Sequence, residues 1–223
     1  MEENSFEARL LHTPYEKLDA YGSLAMPVYN TAAYEFESAE AMEGAFCGRT
    51  SDHAYSRITN PTVQYFEDRV LSVTGAMSVT ALNSGMAAIC NMLMTIGRAK
   101  ANIVTSPHLF GNTWSLMKTT LATFDIEARF CNLTDPDEVR AYIDCNTCAI
   151  FLEVITNPQL EVADLKMLSS IAKEAGVPLI ADTTIVPFSV FHGKDFGIDI
   201  EIVSSTKYIS GGATSIGGLI LDN

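Results

Sequence analysis

Long apolar runs, basic residues and paired metal-ligand spacings are what this sequence has little of. No apolar stretch reaches the roughly 20 residues of a membrane helix, so no membrane partner is expected. The start, Met1-Glu2-Glu3-Asn4, has neither the basic region nor the apolar core of a signal peptide. Lysine and arginine number 14 against 27 aspartates and glutamates, a net charge of -13. That balance argues against a broad nucleic-acid surface. Charged residues make up only 18% and hydrophobic ones 48%, which excludes disorder and supports one large domain or two small ones. Five cysteines, odd in number and scattered, fit a reducing cytoplasm better than a disulfide framework. Cys145-Asn146-Thr147-Cys148 has no second pair, and the histidines stand apart at 12, 53, 108 and 192. A zinc or redox centre therefore finds no support. The glycines at 211, 212, 217 and 218 are not followed by Lys-Ser/Thr, and no Gly-x-Gly-x-x-Gly opens the first unit. Both nucleotide-binding fingerprints are absent.

What is present is alternation. Residues 1–60 read as an N-terminal arm, with Pro27-Val28-Tyr29-Asn30-Thr31 extended and a short helix from Ser38 to Phe46. From Asn60-Pro61-Thr62 onward the pattern is regular. Pro61 suits a helix start, and Val63, Phe66, Val70 and Leu71 form an apolar stripe. Strands are expected at Ser78 to Leu82, Asn102 to Thr105, Ile126 to Cys131, Ala149 to Glu153, Pro178 to Ala181 and Glu201 to Ser204. Helices are expected at Met86 to Ile96, 112–123, 135–144 and 164–175. Such alternation implies an α/β domain over 61–223 with a mostly parallel sheet, whose ligands gather at the carboxyl ends of the strands.

The chemistry centres on Val203-Ser204-Ser205-Thr206-Lys207. A strand delivers two hydroxyls, Ser204 and Thr206, and then a lysine into a glycine-rich turn. A desolvated lysine there suits Schiff-base chemistry, because its amine loses charge readily and attacks a carbonyl. Asp182 ends another strand and suits a protonated ring nitrogen, though Asp-Thr-Thr is also an ordinary turn. Ser84-Gly85-Met86 marks a strand-to-helix junction where backbone N–H groups bind phosphate, though Ser then Gly is also a common cap. Arg57 offers a fork for phosphate and Tyr55 a phenol, though a surface arginine reads the same way. Phe110 beside Gly111 suits stacking on a flat ring or plain core packing. Asn157-Pro158 suits a hydrogen bond to a ring oxygen or a routine turn.

Taken together, the pieces resemble the pyridoxal-phosphate enzymes of cysteine and methionine metabolism. That group holds the cystathionine lyases and synthases, methionine γ-lyase and O-acetylhomoserine sulfhydrylase. The matching stretches are Tyr55 to Thr62, Ser84 to Ile89, Glu153 to Pro158, Asp182-Thr183-Thr184 and Ser204 to Tyr208, in the family's order. The resemblance implies the large domain of a fold-type I transferase and pyridoxal 5'-phosphate as cofactor. It implies that Lys207 bonds the cofactor and moves protons, while Asp182 faces the pyridine nitrogen. Gly85, Met86, Ser204 and Thr206 would hold the phosphate, Asn157 the ring hydroxyl, and Phe110 would stack. Tyr55 and Arg57 would reach a neighbouring subunit's phosphate, which implies at least a homodimer and, in this family, a dimer of dimers.

Two departures shape the expectation. The family usually has tyrosine where this chain has Phe110, which removes a hydroxyl able to give a proton to a leaving group. Acetate leaves more easily than a thiolate, and Gly211 to Gly218 looks closest to the sulfhydrylase branch. The expected activity is therefore replacement on an acylated homoserine by sulfide or a thiol. Elimination from methionine, and cystathionine cleavage or synthesis, are the alternatives. Family members also run to about twice this length, as two-domain chains do. The small domain and its carboxylate-binding arginine have no counterpart here, so a split enzyme or an inactive cofactor-binding remnant also stays open.

Overall fold

Strands whose every position is apolar belong in a sheet covered on both faces. β2 (Asn102–Thr105) and β4 (Thr147–Glu153) are apolar at every position but their polar ends and are buried almost throughout. In the computed structural model they lie at the heart of a seven-stranded sheet. The model describes residues 5–14 and 21–223; the first four residues and 15–20 of the arm lie outside the described residues. The chain divides into two compact units, Met1–Val73 and Thr74–Asn223.

The first unit holds three helices. α1 (Phe6–His12) is capped by the Ser5 hydroxyl, which accepts from Ala8 N–H at 3.1 Å. This helix was not expected from the sequence, since seven residues give periodicity little room to show. α2 (Ala39–Phe46) is capped by Ser38, as its sequence suggests. α3 (Pro61–Thr74) opens on Pro61, with the Asn60 side chain accepting from Thr62 N–H at 2.9 Å. The extended stretch from Pro27 is tied to that helix start. Thr62 Oγ1 donates to Pro27 O at 3.0 Å and accepts from Tyr29 N–H at 2.9 Å.

The second unit carries the sheet, in the order β1-β7-β6-β5-β4-β2-β3. β3 (Glu127–Phe130), β2, β4, β5 (Leu179–Asp182) and β6 (Ile200–Val203) run parallel, each paired to its neighbour. β1 (Ser78–Leu82) and β7 (Gly218–Asp222) are antiparallel to each other, and β7 also runs antiparallel to β6. α4 (Gly85–Ile96), α6 (Pro136–Tyr142) and α7 (Leu165–Ala175) connect strands. The helix expected over 112–123 exists but changes pitch twice. α5 (Gly111–Ser115) passes into a π turn, Leu116–Thr120, and then a 3-10 turn, Leu121–Phe124.

Side chains alternate between the two faces of a strand, and two cores follow from that. Val104, Ile150, Leu152, Leu179 and Ala181 face one side and pack with Leu165, Leu168 and Ile171 of α7. Ile103, Ala149, Phe151, Ile180 and Ile202 face the other and pack with Ala88, Ile89 and Leu93 of α4 and with Leu116, Met117 and Leu121. Among the described residues no helix is long and apolar enough to cross a membrane.

β7 is the strand that the sequence reading left as a glycine-rich tail. Glycine usually weakens a strand, but it also marks close approach of two backbones. A Cβ at Gly218 would run into the carbonyl oxygen of Ser84, and one at Gly217 into the Ser205 hydroxyl. Gly218→Ala is therefore expected to destabilise the protein by about 1–3 kcal/mol or more. That lowers the thermal midpoint by about 2–4 °C per kcal/mol for a domain of this size, measurable by differential scanning calorimetry.

Candidate functional site

Three parallel strands end side by side, and their last residues share a face. Phe151, Ile180 and Ile202 point to the α4 side, so alternation sends Glu153, Asp182 and Ser204 the same way. β4 and β5 pair Glu153 with Asp182 in register, across a gap of about 4.8 Å between strands.

The start of α4 closes over this edge. A Cβ at Gly85 would sit 2.8 Å from Ser204 Cβ and 3.1 Å from its hydroxyl oxygen. Only glycine lets the helix start and the strand end come this close. Ser84 caps the helix by accepting from Ala87 N–H at 3.1 Å, and its carbonyl takes Ala88 N–H at 3.0 Å. Among the described residues the N–H groups of Gly85 and Met86 have no protein acceptor. Two free donors at a helix start, beside the Ser204 hydroxyl, make a ready anion site. Met86 also turns its sulfur to the Thr113 hydroxyl at 3.7 Å, which ties α4 to α5.

Asp182 accepts Thr184 N–H at 2.9 Å, and the Thr184 hydroxyl accepts Ser204 N–H at 2.8 Å. The ordinary turn weighed for Asp-Thr-Thr is thus present, and it also joins the ends of β5 and β6. Burial pushes the Asp182 carboxyl above its usual range, while its bonds to Thr184 pull the other way. Among the described residues no cation pairs with it.

The remaining expected residues are less enclosed. Lys207 lies in the turn after β6, its N–H on Ser204 O at 3.1 Å, and its side chain is exposed. This chain therefore does not supply the desolvation anticipated for it, because the turn that follows is small and open. Thr206 does not present a free hydroxyl. It donates to Gly217 O at 3.2 Å and accepts from Gly217 N–H at 3.0 Å, which closes the loop between β6 and β7. Phe110 caps α5 and leaves 45% of its surface open. Asn157 is exposed at the cis Asn157-Pro158 bond. In the first unit, Arg57 lies 5.3 Å from the centre of the Tyr55 ring, a cation-π pair on the surface.

Two residues with no role in the sequence reading belong to this edge. Thr184 joins the two strand ends, and Glu153 is a buried carboxylate between loops. Asp-x-Thr was a legible turn signal for the first. Glu153 ends an apolar strand much as Asp182 does, and that position was its signal. Among the described residues no three His, Cys, Asp or Glu side chains gather as a metal site requires.

The raised Asp182 proton affinity has a thermodynamic consequence. The folded, cofactor-free protein holds that proton more tightly than the unfolded chain does. Stability from this group is thus lost as pH rises from about 4, the ordinary aspartate value, through the raised one. Asp182→Asn removes the loss and keeps an acceptor for Thr184 N–H. The cofactor-free variant is expected to melt above wild type at about pH 7, with the difference shrinking toward about pH 4. Thermal denaturation across pH checks this.

Comparisons with known proteins agree with the geometry. A homocysteine synthase of Schizosaccharomyces pombe is 36% identical over 224 residues, covering 100% of this chain and 52% of that protein. An O-acetyl-L-homoserine sulfhydrylase of Corynebacterium glutamicum is 36% identical over 219 residues, covering 97% of this chain and 50% of that protein. The solved structure of a "putative O-acetylhomoserine (thiol)-lyase" of Campylobacter jejuni, with an N'-pyridoxyl-lysine-5'-monophosphate, superposes with a TM-score of 0.93 at 32% identity. It covers 98% of this chain, which in turn covers 54% of it. The chain spans about half the length of the curated relatives it matches. The profile of the Cys/Met metabolism PLP-dependent enzymes matches residues 7–223, and the chain belongs to that family.

Proposed function

We propose that this chain forms the cofactor-binding half of an O-acetylhomoserine sulfhydrylase-like enzyme, which replaces the acyl group of an acylated homoserine with sulfide or a thiol. The observation that carries this is the pairing of a free-donor helix start with a partly buried, cation-less aspartate on one sheet edge. The donor set fits pyridoxal phosphate at both ends. Gly85 and Met86 N–H groups with the Ser204 hydroxyl suit the phosphate. Asp182 suits a protonated pyridine nitrogen, whose positive charge relieves the cost of burying the carboxylate.

When bound, the cofactor supplies an electron sink for carbanion chemistry. The chain's residues do the rest. Asp182 would face the ring nitrogen and favour its protonated form, and Lys207 would be the amine that bonds the cofactor and moves protons. Phe110 would stack on the ring and Asn157 would hydrogen-bond its hydroxyl. Thr206 holds the loop that carries Lys207 against Gly217 and adds its remaining lone pair to the polar lining. Tyr55 and Arg57 would reach the phosphate of a second subunit, so the working form would be at least a dimer and, by likeness to the family, a dimer of dimers. The arm, residues 1–60, contributes that subunit contact. Phe110 has no phenol to protonate a poor leaving group, so acetate is favoured over a thiolate. Sulfide-rich biosynthesis of this kind fits a cytoplasmic protein with free thiols.

Two measurements check the reading. Purified with pyridoxal phosphate, the wild type is expected to show visible Schiff-base absorbance that Lys207→Ala loses entirely. Supplied with sulfide, O-acetylhomoserine is expected to turn over faster than methionine is cleaved. Faster methionine cleavage would reject the substrate assignment, and colour without any turnover would leave a cofactor-binding remnant.

A further inference from the structure

We propose that Glu153 is the positioning residue that sets the spacing between Phe110 and Asn157, and so fixes the ring-gripping side chains relative to each other. This rests on the cofactor reading above. Glu153 is the last residue of β4 and is 7% exposed. One carboxylate oxygen, Oε1, accepts the N–H of Phe110, and the other, Oε2, accepts the N–H of Asn157 at 3.1 Å. The two loops come from different strands. Phe110 follows β2, and Asn157 follows β4 itself. A single rigid carboxylate thus clamps both backbones at the residues whose side chains meet the cofactor ring.

A carboxylate in this place is costly. Burial raises its proton affinity, and Asp182, its registered neighbour, adds like-charge repulsion; the two N–H donors counter both. An apolar residue would avoid the penalty but leave two backbone N–H groups without an acceptor. Glutamine is the same shape with one acceptor only, and its amide would face one of the N–H donors. The only other side-chain link between these loops among the described residues is His108 Nδ1 to Glu161 Oε2 at 2.7 Å, with both partners about half exposed. A surface pair of that kind holds little.

Glu201 provides the control. It too is a buried carboxylate, 4% exposed, accepting Gly193 N–H at 2.8 Å and the Asn223 side-chain amide at 3.0 Å. It sits away from the strand ends that carry Asp182 and Ser204, one residue into β6.

The experiment compares wild type, Glu153→Gln and Glu201→Gln. Hydrogen exchange on cofactor-free protein reads the clamp directly. In wild type the Phe110 and Asn157 amides are expected to be protected and to open together. Glu153→Gln is expected to speed exchange in both loops about tenfold or more, since one charged hydrogen bond is lost, while β5 and β6 stay as protected as before. Pyridoxal phosphate titration is expected to show about tenfold weaker binding. The visible circular dichroism of the bound cofactor, which reports ring orientation, is expected to fall in Glu153→Gln and to hold in Glu201→Gln. Unprotected Phe110 or Asn157 amides in wild type would overturn the proposal even if the variant fails to fold. Equal dichroism loss in both variants would also overturn it, leaving only a structural role. A wild type that binds no pyridoxal phosphate would defeat the cofactor reading instead, a separate outcome visible before any variant is made.

Discussion

Register between β4 and β5 governs most of what this edge can do. Because Glu153 lies opposite Asp182, and because Phe151 and Ile180 below them pack on α4, both carboxylates must emerge on the α4 side. A slip of one residue would send them to the α7 side and bury them among Leu168, Ile171 and Ala172 instead. The hydrophobic pattern of the two strands therefore fixes the chemistry as firmly as it fixes the core. The same constraint places two carboxylates about one strand spacing apart, where like-charge repulsion from Asp182 adds to the burial that raises the proton affinity of Glu153.

Glycine sets the other boundary of the site. Gly85 allows the α4 start to lie against Ser204, and Gly218 allows β7 to pass under Ser84. Neither residue contributes a side chain, yet each decides where the free N–H donors point. Backbone geometry thus arranges this corner, and the Thr184 hydroxyl, accepting Ser204 N–H, ties the end of β6 to it.

Much of the sheet was legible because its strands are short apolar runs between helices with clear stops, such as α7, which ends at Gly176 in a left-handed conformation. Asp182, Ser84-Gly85-Met86 and Ser204 were legible because each ends or starts such an element. β7 was not, since glycine propensity argues against a strand and only its packing partner at Ser84 explains it. α1 was too short to show a period. Glu153 was hidden for a different reason. A carboxylate that bonds two backbone N–H groups leaves no side-chain motif, so its partners appear only once the loops are folded together. Thr206 also bonds the backbone of Gly217, a partner that spacing alone does not reveal.

β1 has a single neighbour in the sheet, β7, which lies more than half the chain further on. During synthesis β1 and the α4 start it leads into must wait for the last residues of this segment before their edge is paired. Loop closure over that distance is slow relative to local helix formation. Of all the strand pairings in the sheet, this one closes the longest loop, so the corner where Gly218 lies beneath Ser84 carries the largest closure entropy.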